Sequence, residues 1–414
     1  MFNLGELKSC RVCESPNTET FFDLGKHPPS NALLKSLGDK ENFYPLALNY
    51  CHNCGLVQLN YIVDPKELFS HYVWVTGTSK TTLDYAQKFY RELTTRTEIP
   101  GGGYVLEIAS NDGTFLKPFI QQGGYRVLGV DPAENIAAMA EKDGVPTKAI
   151  FWSKETAEEL LKEKGPADVV FARNVLPHVA NTRDFVEGLA LSLSENGTLA
   201  IEVHYAPIIL EELHYDSIYH EHLCYFTFKT LEKLLNDFDM HVFDITESPI
   251  SGGSIVVYVK KQKAEEKPIV GEYRTKENEN KTNEFSTWQD FKKRSFSHKE
   301  KWVEFLNQAN HRGDKIVGWG ASARSSTLLN FAGVDSKSIP IIADMNPLKH
   351  KHFTPGTHIL IDAPEIVMAG KPDFVVILAW NFAKEIMEML KNKYNFQGQC
   401  LIPLPGEARV LKIS

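Results

Sequence analysis

Tyr104-Val105-Leu106-Glu107-Ile108-Ala109-Ser110-Asn111-Asp112-Gly113-Thr114-Phe115-Leu116 passes from a strand-like apolar run, through a turn of small residues, into the start of a helix. The short side chains of the turn let backbone N–H groups approach a ligand closely where a helix begins. The next apolar run, 126–130, ends in Gly129-Val130-Asp131. An acid at the tip of a second strand can bind both hydroxyls of a ribose. Asp131 stands 24 residues after Glu107, close to the roughly 20 expected of that pairing. A helix is expected over 134–142, then an apolar strand at 168–171, continued by Ala172-Arg173-Asn174-Val175-Leu176-Pro177-His178, and another strand at 198–203. Strands alternating with helices imply an α/β fold with a parallel, doubly wound sheet.

Outward from that core, an amphipathic helix is expected over 82–98, with Leu83, Phe89 and Leu93 among its apolar residues. Residues 1–70 read as short strands and turns punctuated by Pro16, Pro28, Pro29 and Pro45. The charged stretch 260–267 reads as a solvated linker. Phe285, Trp288 and Phe291 recur at three-residue spacing, and Trp302, Phe305 and Leu306 continue them, so a long helix with one apolar face should follow. After Asp314 the α/β rhythm restarts, with strands expected at 315–319, 339–343 and 374–379 and helices at 325–331 and 383–392.

A chain of 414 residues exceeds one ordinary core and should form two or three domains. Its composition, 43% hydrophobic and 24% charged, is that of a globular protein. With a net charge of −8 and no sustained basic block beside aromatics, nucleic acid is not an expected partner. Neither a long apolar run nor a secretory start is present, so a membrane is not expected either, and the cytoplasm is the expected location.

Four of the six cysteines form two C-x-x-C pairs, Cys10/Cys13 and Cys51/Cys54, with 37 residues between them. Each pair can present two thiolates to one tetrahedral ion, and four sulfurs close its shell, which makes structural zinc the expected occupant. An iron–sulfur site or redox dithiols are the alternatives, and His52 is a possible substitute ligand.

The order of acidic strand, small-residue turn, ribose-binding acid and apolar strand ending in Asn174 and His178 resembles the class I methyltransferases, which use S-adenosyl-L-methionine. Glu107, Ala109, Asn111, Asp112, Gly113, Asp131 and Asn174 are the residues expected to hold that donor. Ala109 stands where many members carry glycine. The alternative, a nicotinamide-binding domain, lacks its G-x-G-x-x-G fingerprint.

After the fifth strand comes Tyr215-Asp216-Ser217-Ile218-Tyr219-His220-Glu221-His222-Leu223-Cys224-Tyr225-Phe226. In an extended chain His220 and His222 would share one face, with Glu221 opposite. An imidazole suits proton abstraction because its ordinary pKa, about 6.5, lies near working pH. A second metal site and a satisfied polar cluster are the competing readings.

Together these features resemble the C-methyltransferases of nucleotide-linked ketosugars, such as the 3-C-methyltransferase of the tetronitrose pathway. The resemblance runs over nearly the whole chain: the cysteine pairs, Tyr72-Val73-Trp74-Val75-Thr76-Gly77-Thr78-Ser79, Ser110-Asn111-Asp112-Gly113, Tyr219-His220-Glu221-His222, Gly320-Ala321, Asp344-Met345-Asn346-Pro347, Pro355-Gly356-Thr357 and Ala379-Trp380-Asn381-Phe382. It implies a structural Zn2+ module over 1–70, a methyltransferase domain over 71–260, a linker and helical segment over 261–310 and a Rossmann-like domain over 311–414. It implies that His222 removes the proton α to the ketone of a nucleoside-diphosphate 4-keto-deoxysugar, that His178, Tyr72, Tyr219 and Glu221 line the sugar, and that Tyr72 or His178 donates a hydrogen bond to the enolate oxygen. Methylation would fall at C3, in a monomer or weak homo-oligomer. Where a Lys-Gly-Asn-like run is expected the chain has Arg324-Ser325-Ser326, so thymidine, guanosine and cytidine diphosphates all stay open as carriers. The rival functions are a small-molecule O- or N-methyltransferase and a non-catalytic, zinc-scaffolded binding protein.

Overall fold

In a computed structural model of the chain, which describes residues 4–69, 75–78, 80–248 and 250–413, seven strands form a central sheet. Their order is His241–Ser248, Ser254–Lys260, Leu193–His204, Ala167–Arg173, Tyr104–Ile108, Arg126–Val130, Thr147–Lys148. Ser254–Lys260 is antiparallel to both neighbours and the remaining pairs are parallel. From Tyr104–Ile108 the chain builds toward one edge, then returns to lay Ala167–Arg173 on the other side. That reversal opens a crevice at the carboxyl ends of the two strands, where open α/β sheets bind ligands. The expected doubly wound α/β architecture is present.

All five residues of Tyr104–Ile108 are buried, as a strand covered on both faces requires. The helix Lys80–Thr94 covers one face, packing Tyr85 and Phe89 edge-on and tilted against Phe115 and Phe171. Its buried stripe is Thr82, Tyr85, Ala86, Phe89 and Leu93. Leu83, expected on that stripe, is 45% exposed, because it lies one residue off the i, i+3, i+4, i+7 series. The helix into which the stretch 104–116 leads begins at Lys117, with Pro118 in its first turn.

Two smaller sheets flank the central one. The amino-terminal sheet pairs Thr18–His27, Tyr44–Cys51 and Val57–Leu59 antiparallel, and its fourth strand is Cys224–Tyr225, contributed from beyond the central sheet's fifth strand. The carboxyl-terminal sheet runs Leu360–Asp362, Ile341–Ala343, Ile316–Trp319, Phe374–Ile377, Gln399–Ile402 and Arg409–Lys412, parallel except for the last pairing.

Between them lie the helices Pro268–Glu279 and Phe285–Arg312. The second is the long amphipathic helix expected from the aromatic spacing; the first was not read from the sequence. Trp288, Phe291, Trp302 and Leu306 are fully buried on one face of the long helix. Phe21 packs edge-on to Trp288, and Phe22 touches Phe291, Phe296 and Phe331. Farther along, Trp302 Nε1 donates to Tyr215 Oη at 3.1 Å. The helix therefore staples the amino-terminal sheet, the segment after the fifth central strand and the carboxyl-terminal sheet into one apolar core. Trp288→Ala is expected to cost about 3–5 kcal/mol, seen as an earlier midpoint in chemical denaturation; an unshifted midpoint would remove the stapling role.

Candidate functional site

The four sulfurs of Cys10, Cys13, Cys51 and Cys54 lie within 4.8 Å of one another, with Cys10–Cys54 at 3.5 Å and Cys13–Cys51 at 3.6 Å. Thiolates about 2.3 Å from one zinc ion would stand about 3.8 Å apart in a tetrahedron, so the donor set fits a closed shell. His52 is turned to Glu19 Oε2, 2.9 Å away, and is not part of the set. The module binds zinc, and a closed shell makes that zinc structural.

This cage reaches the rest of the site through the chain between its knuckles. Arg11 donates from its backbone N–H to Gln58 Oε1 and from Nη1 to the Leu59 carbonyl. Val57–Leu59 then pairs with Cys224–Tyr225, and Leu59 N–H donates to the Leu223 carbonyl. His222 is one residue away.

At the crevice, Ala109, Asn111 and Gly113 all take positive φ (59°, 50° and 74°), a tight turn that non-glycine residues adopt at a cost. Asp131, buried, accepts from the N–H of Asn111 and of Ala133, both at 2.9 Å. Each of its oxygens keeps a second lone pair. Burial raises the Asp131 pKa against those two hydrogen bonds. Glu107 is wholly enclosed, which pushes its pKa well up despite Arg173 nearby, and its Oε2 has no hydrogen-bond partner. Thr76 N–H donates to Asn111 Oδ1 and Gly77 N–H to Asp112 Oδ2, each at 2.9 Å. The absence of a side chain at Gly77 eases the second approach, since a Cβ there would stand 2.6 Å from Asp112 Oδ2 and force that carboxylate to shift. Asn174, also at positive φ, is tied to the next strand by Nδ2 donating to Glu202 Oε1 at 3.1 Å. The seven residues expected to hold the donor thus line two adjacent strand tips and the turns leaving them, with Asp131 at a third. A buried carboxylate oxygen without a partner, beside a tight turn at a strand tip, suits a small polar ligand carrying an amine and a ribose.

The stretch 219–222 is a turn, neither helix nor strand, with His222 N–H donating to the Tyr219 carbonyl. It therefore splits the side chains that an extended chain would pair. His220 faces the amino-terminal sheet, its Nε2 3.2 Å from the Pro45 carbonyl. Glu221 accepts from Asn31 Nδ2 at 2.6 Å. His222 lies edge-on to His178 with ring centroids 4.9 Å apart, its Nδ1 2.8 Å from the Ser217 carbonyl and its Nε2 2.7 Å from Tyr219 Oη. A carbonyl only accepts, so Nδ1 carries the proton and Nε2 is the basic nitrogen. Burial above all, then His178 and the Arg324 charge, holds the His222 pKa well below its ordinary value. His178 is lowered to about 4 by burial. Among the described residues no metal-ligand group includes these histidines. Tyr72 lies outside the described residues.

Five more residues cluster beside this turn: Asp216, Arg324 and Trp380, which stand in stretches quoted from the sequence, and His204 and His214, which do not. Trp380 Nε1 donates to Asp216 Oδ2 at 2.6 Å, and the Arg324 guanidinium stands 5.2 Å over the Trp380 ring. His214 lies 4.6 Å from Trp380, and His204 stacks on His214 at 5.9 Å. His204 falls one residue past the apolar run read as a strand, so its place at a strand tip was the available signal.

Fold, crevice and zinc module define an S-adenosylmethionine-dependent class I methyltransferase. Family models agree in order along the chain: a zinc binding domain over residues 10–69, a methyltransferase domain over 83–244 and a C-methyltransferase C-terminal domain over 249–405. The C-methyltransferase NovU of Streptomyces niveus is 30% identical over 409 residues, covering 98% of this chain and 97% of its own. The chain belongs to this family of C-methyltransferases. Two solved structures overlap it in part: the plantazolicin methyltransferase BpumL with S-adenosylhomocysteine and a substrate analogue (16% identity, 45% of this chain and 87% of that one, TM-score 0.36), and magnesium protoporphyrin IX methyltransferase from Synechocystis PCC 6803 with bound S-adenosylmethionine (16%, 43% and 79%, TM-score 0.33).

Cys51→Ser should lower bound zinc and loosen the amino-terminal module; full zinc stoichiometry by elemental analysis would contradict the four-thiolate shell. Asp131→Ala should weaken S-adenosylmethionine binding about tenfold to a hundredfold, the worth of about 1.5–3 kcal/mol for hydrogen bonds to a charged group. Calorimetry reads this directly, and unchanged affinity would take Asp131 out of the donor site.

Proposed function

We propose that this enzyme methylates C3 of a nucleoside-diphosphate-linked 4-keto-deoxysugar, with His222 as the base that enolises the ketone. The observation that carries the reading is the state of His222: a neutral imidazole whose Nδ1–H is fixed on the Ser217 carbonyl, so that Nε2 is the basic nitrogen, accepting from the Tyr219 hydroxyl beside His178. Once the Tyr219 hydroxyl turns from Nε2 to the substrate, the proton α to the ketone passes to Nε2, and the C–H electron pair becomes the enolate. Tyr219 holds Nε2 by its hydroxyl, and burial raises the Tyr219 pKa so that it keeps its proton. Glu107, Ala109, Asn111, Asp112, Gly113, Asp131 and Asn174 hold the donor, which supplies an electrophilic methyl group. Tyr219, His178, Glu221 and Tyr72 line the sugar.

The carboxyl-terminal domain fits as the wall facing the nucleotide. Ala321 N–H donates to Asp344 Oδ2 at 2.8 Å, and Lys349 Nζ closes the same loop on the Ala321 carbonyl. Free thiols that must stay reduced to bind metal suit the cytoplasm.

His222→Ala is expected to abolish turnover while leaving donor affinity intact. Substrate incubated in D2O without donor should exchange its α-proton with the unaltered enzyme and not with the variant. Full methylation without exchange, giving an O-methyl product, would reject the mechanism. The base must be neutral and its pKa is lowered, so the neutral form persists as pH falls through 6.5. Accordingly kcat/KM should stay level across pH 6.5 and decline only at lower pH; a drop centred on 6.5 would point to an ordinary, solvated imidazole.

A further inference from the structure

We propose that His204 is a further catalytic residue, donating a hydrogen bond from Nε2 to the substrate oxygen on which charge develops during enolisation; this rests on the ketone-enolisation reading above. His204 ends the strand Leu193–His204, which pairs with Ala167–Arg173, the strand leading to Asn174 and His178. It therefore stands at the carboxyl edge of the sheet, one strand from the residues beside the base. The residue is 94% buried on the strength of its 6% exposure, and its Nε2 has no hydrogen-bond partner. A buried polar nitrogen without a partner is costly, and His214 Nδ1 beside it is unpartnered too, so neither ring satisfies the other. His214, stacked on it, turns Nε2 to Glu212, and Tyr219 is on His222. An unused nitrogen so placed is satisfied by a ligand atom.

The surroundings select the charge of that atom. Arg324 is a fixed cation, positioned over Trp380 and 4.0 Å from Asp216 Oδ1. Gly252, at φ 79°, brings the backbone up to this group so closely that a Cβ would stand 3.0 Å from Trp380, 3.3 Å from His214 and 3.5 Å from Arg324. Burial first, then the Arg324 charge and the rings of His214 and His222, keep His204 neutral. A neutral imidazole N–H beside a guanidinium favours an oxygen that gains negative charge, and it has no second proton to lose at working pH. His178, the other sequence-based donor among the described residues, would share the oxygen, since such sites commonly use two donors.

The test measures α-proton exchange of the ketosugar in D2O without donor, followed by methyl transfer, for the whole enzyme and for His204→Phe and His204→Gln. Phe keeps volume and removes the donor, whereas Gln restores an N–H near the Nε2 position. The phenylalanine variant is expected to lose about a hundredfold to a thousandfold in both rates, with zinc content, thermal midpoint and S-adenosylmethionine affinity unchanged, and the glutamine variant to recover at least tenfold. Exchange in His204→Phe within threefold of the unaltered enzyme overturns the assignment while leaving His222 as base. Absence of exchange in the unaltered enzyme overturns the enolisation reading and this assignment together.

Discussion

The hydrogen bond from Trp380 to the buried carboxylate of Asp216 is the contact on which the arrangement of the site depends. Asp216 is fully enclosed, and burial drives its pKa up against the pull of Arg324 and Trp380. A carboxylate removed from water is tolerable only if protein groups replace the water. Both of its side-chain partners come from the carboxyl-terminal domain, and Thr327 of that domain also donates to the Ile218 carbonyl. The turn that carries Tyr219 and His222 is therefore closed from one side by residues that belong to another sheet. Without that docking, only the backbone amides of Asp216 and Ser217 would be left to answer its charge.

Zinc closes the turn from the other side. The thiolate cage fixes Arg11, Arg11 fixes the end of Val57–Leu59, and that strand takes Cys224–Tyr225 into its ladder. His222 is thus suspended between an anchor made by a metal and an anchor made by a buried ion group. Two anchors a few residues apart leave the imidazole little freedom, and on the proposed chemistry a base that acts on a weakly acidic C–H needs this kind of fixed approach. A structural metal far from the chemistry acquires a part in it by geometry alone.

The sheets were legible because burial on both faces leaves continuous apolar runs, as in Tyr104–Ile108, and because the aromatic period of Phe285, Trp288 and Phe291 has no reading other than a helix face. Leu83 was misplaced because a moment over many residues does not tell which single leucine falls off the stripe. The His-Glu-His cluster was found, but its conformation was not: whether His220 and His222 share a face depends on one turn hydrogen bond, from His222 to Tyr219. Asp216 could be seen in the sequence and not understood there. Its partner Trp380 is 164 residues away, and only folding makes the two neighbours. His204 fell just past an apolar run and looked like the polar residue that ends any strand.

Electrostatics then links these placements to one another. Arg324 lowers the proton affinity of His204, His214 and His222 alike. On the proposed chemistry the site needs an imidazole that is free of its proton beforehand and an oxygen that can bear charge afterward. A single buried cation serves both demands, since the field that disfavours imidazolium is the field that favours enolate. Its cost is a guanidinium held out of water, met by the Trp380 face and the Asp216 carboxylate. The same three residues that dock the carboxyl-terminal domain thereby set the charge state of the pocket, so closing the fold and preparing the base are one physical event.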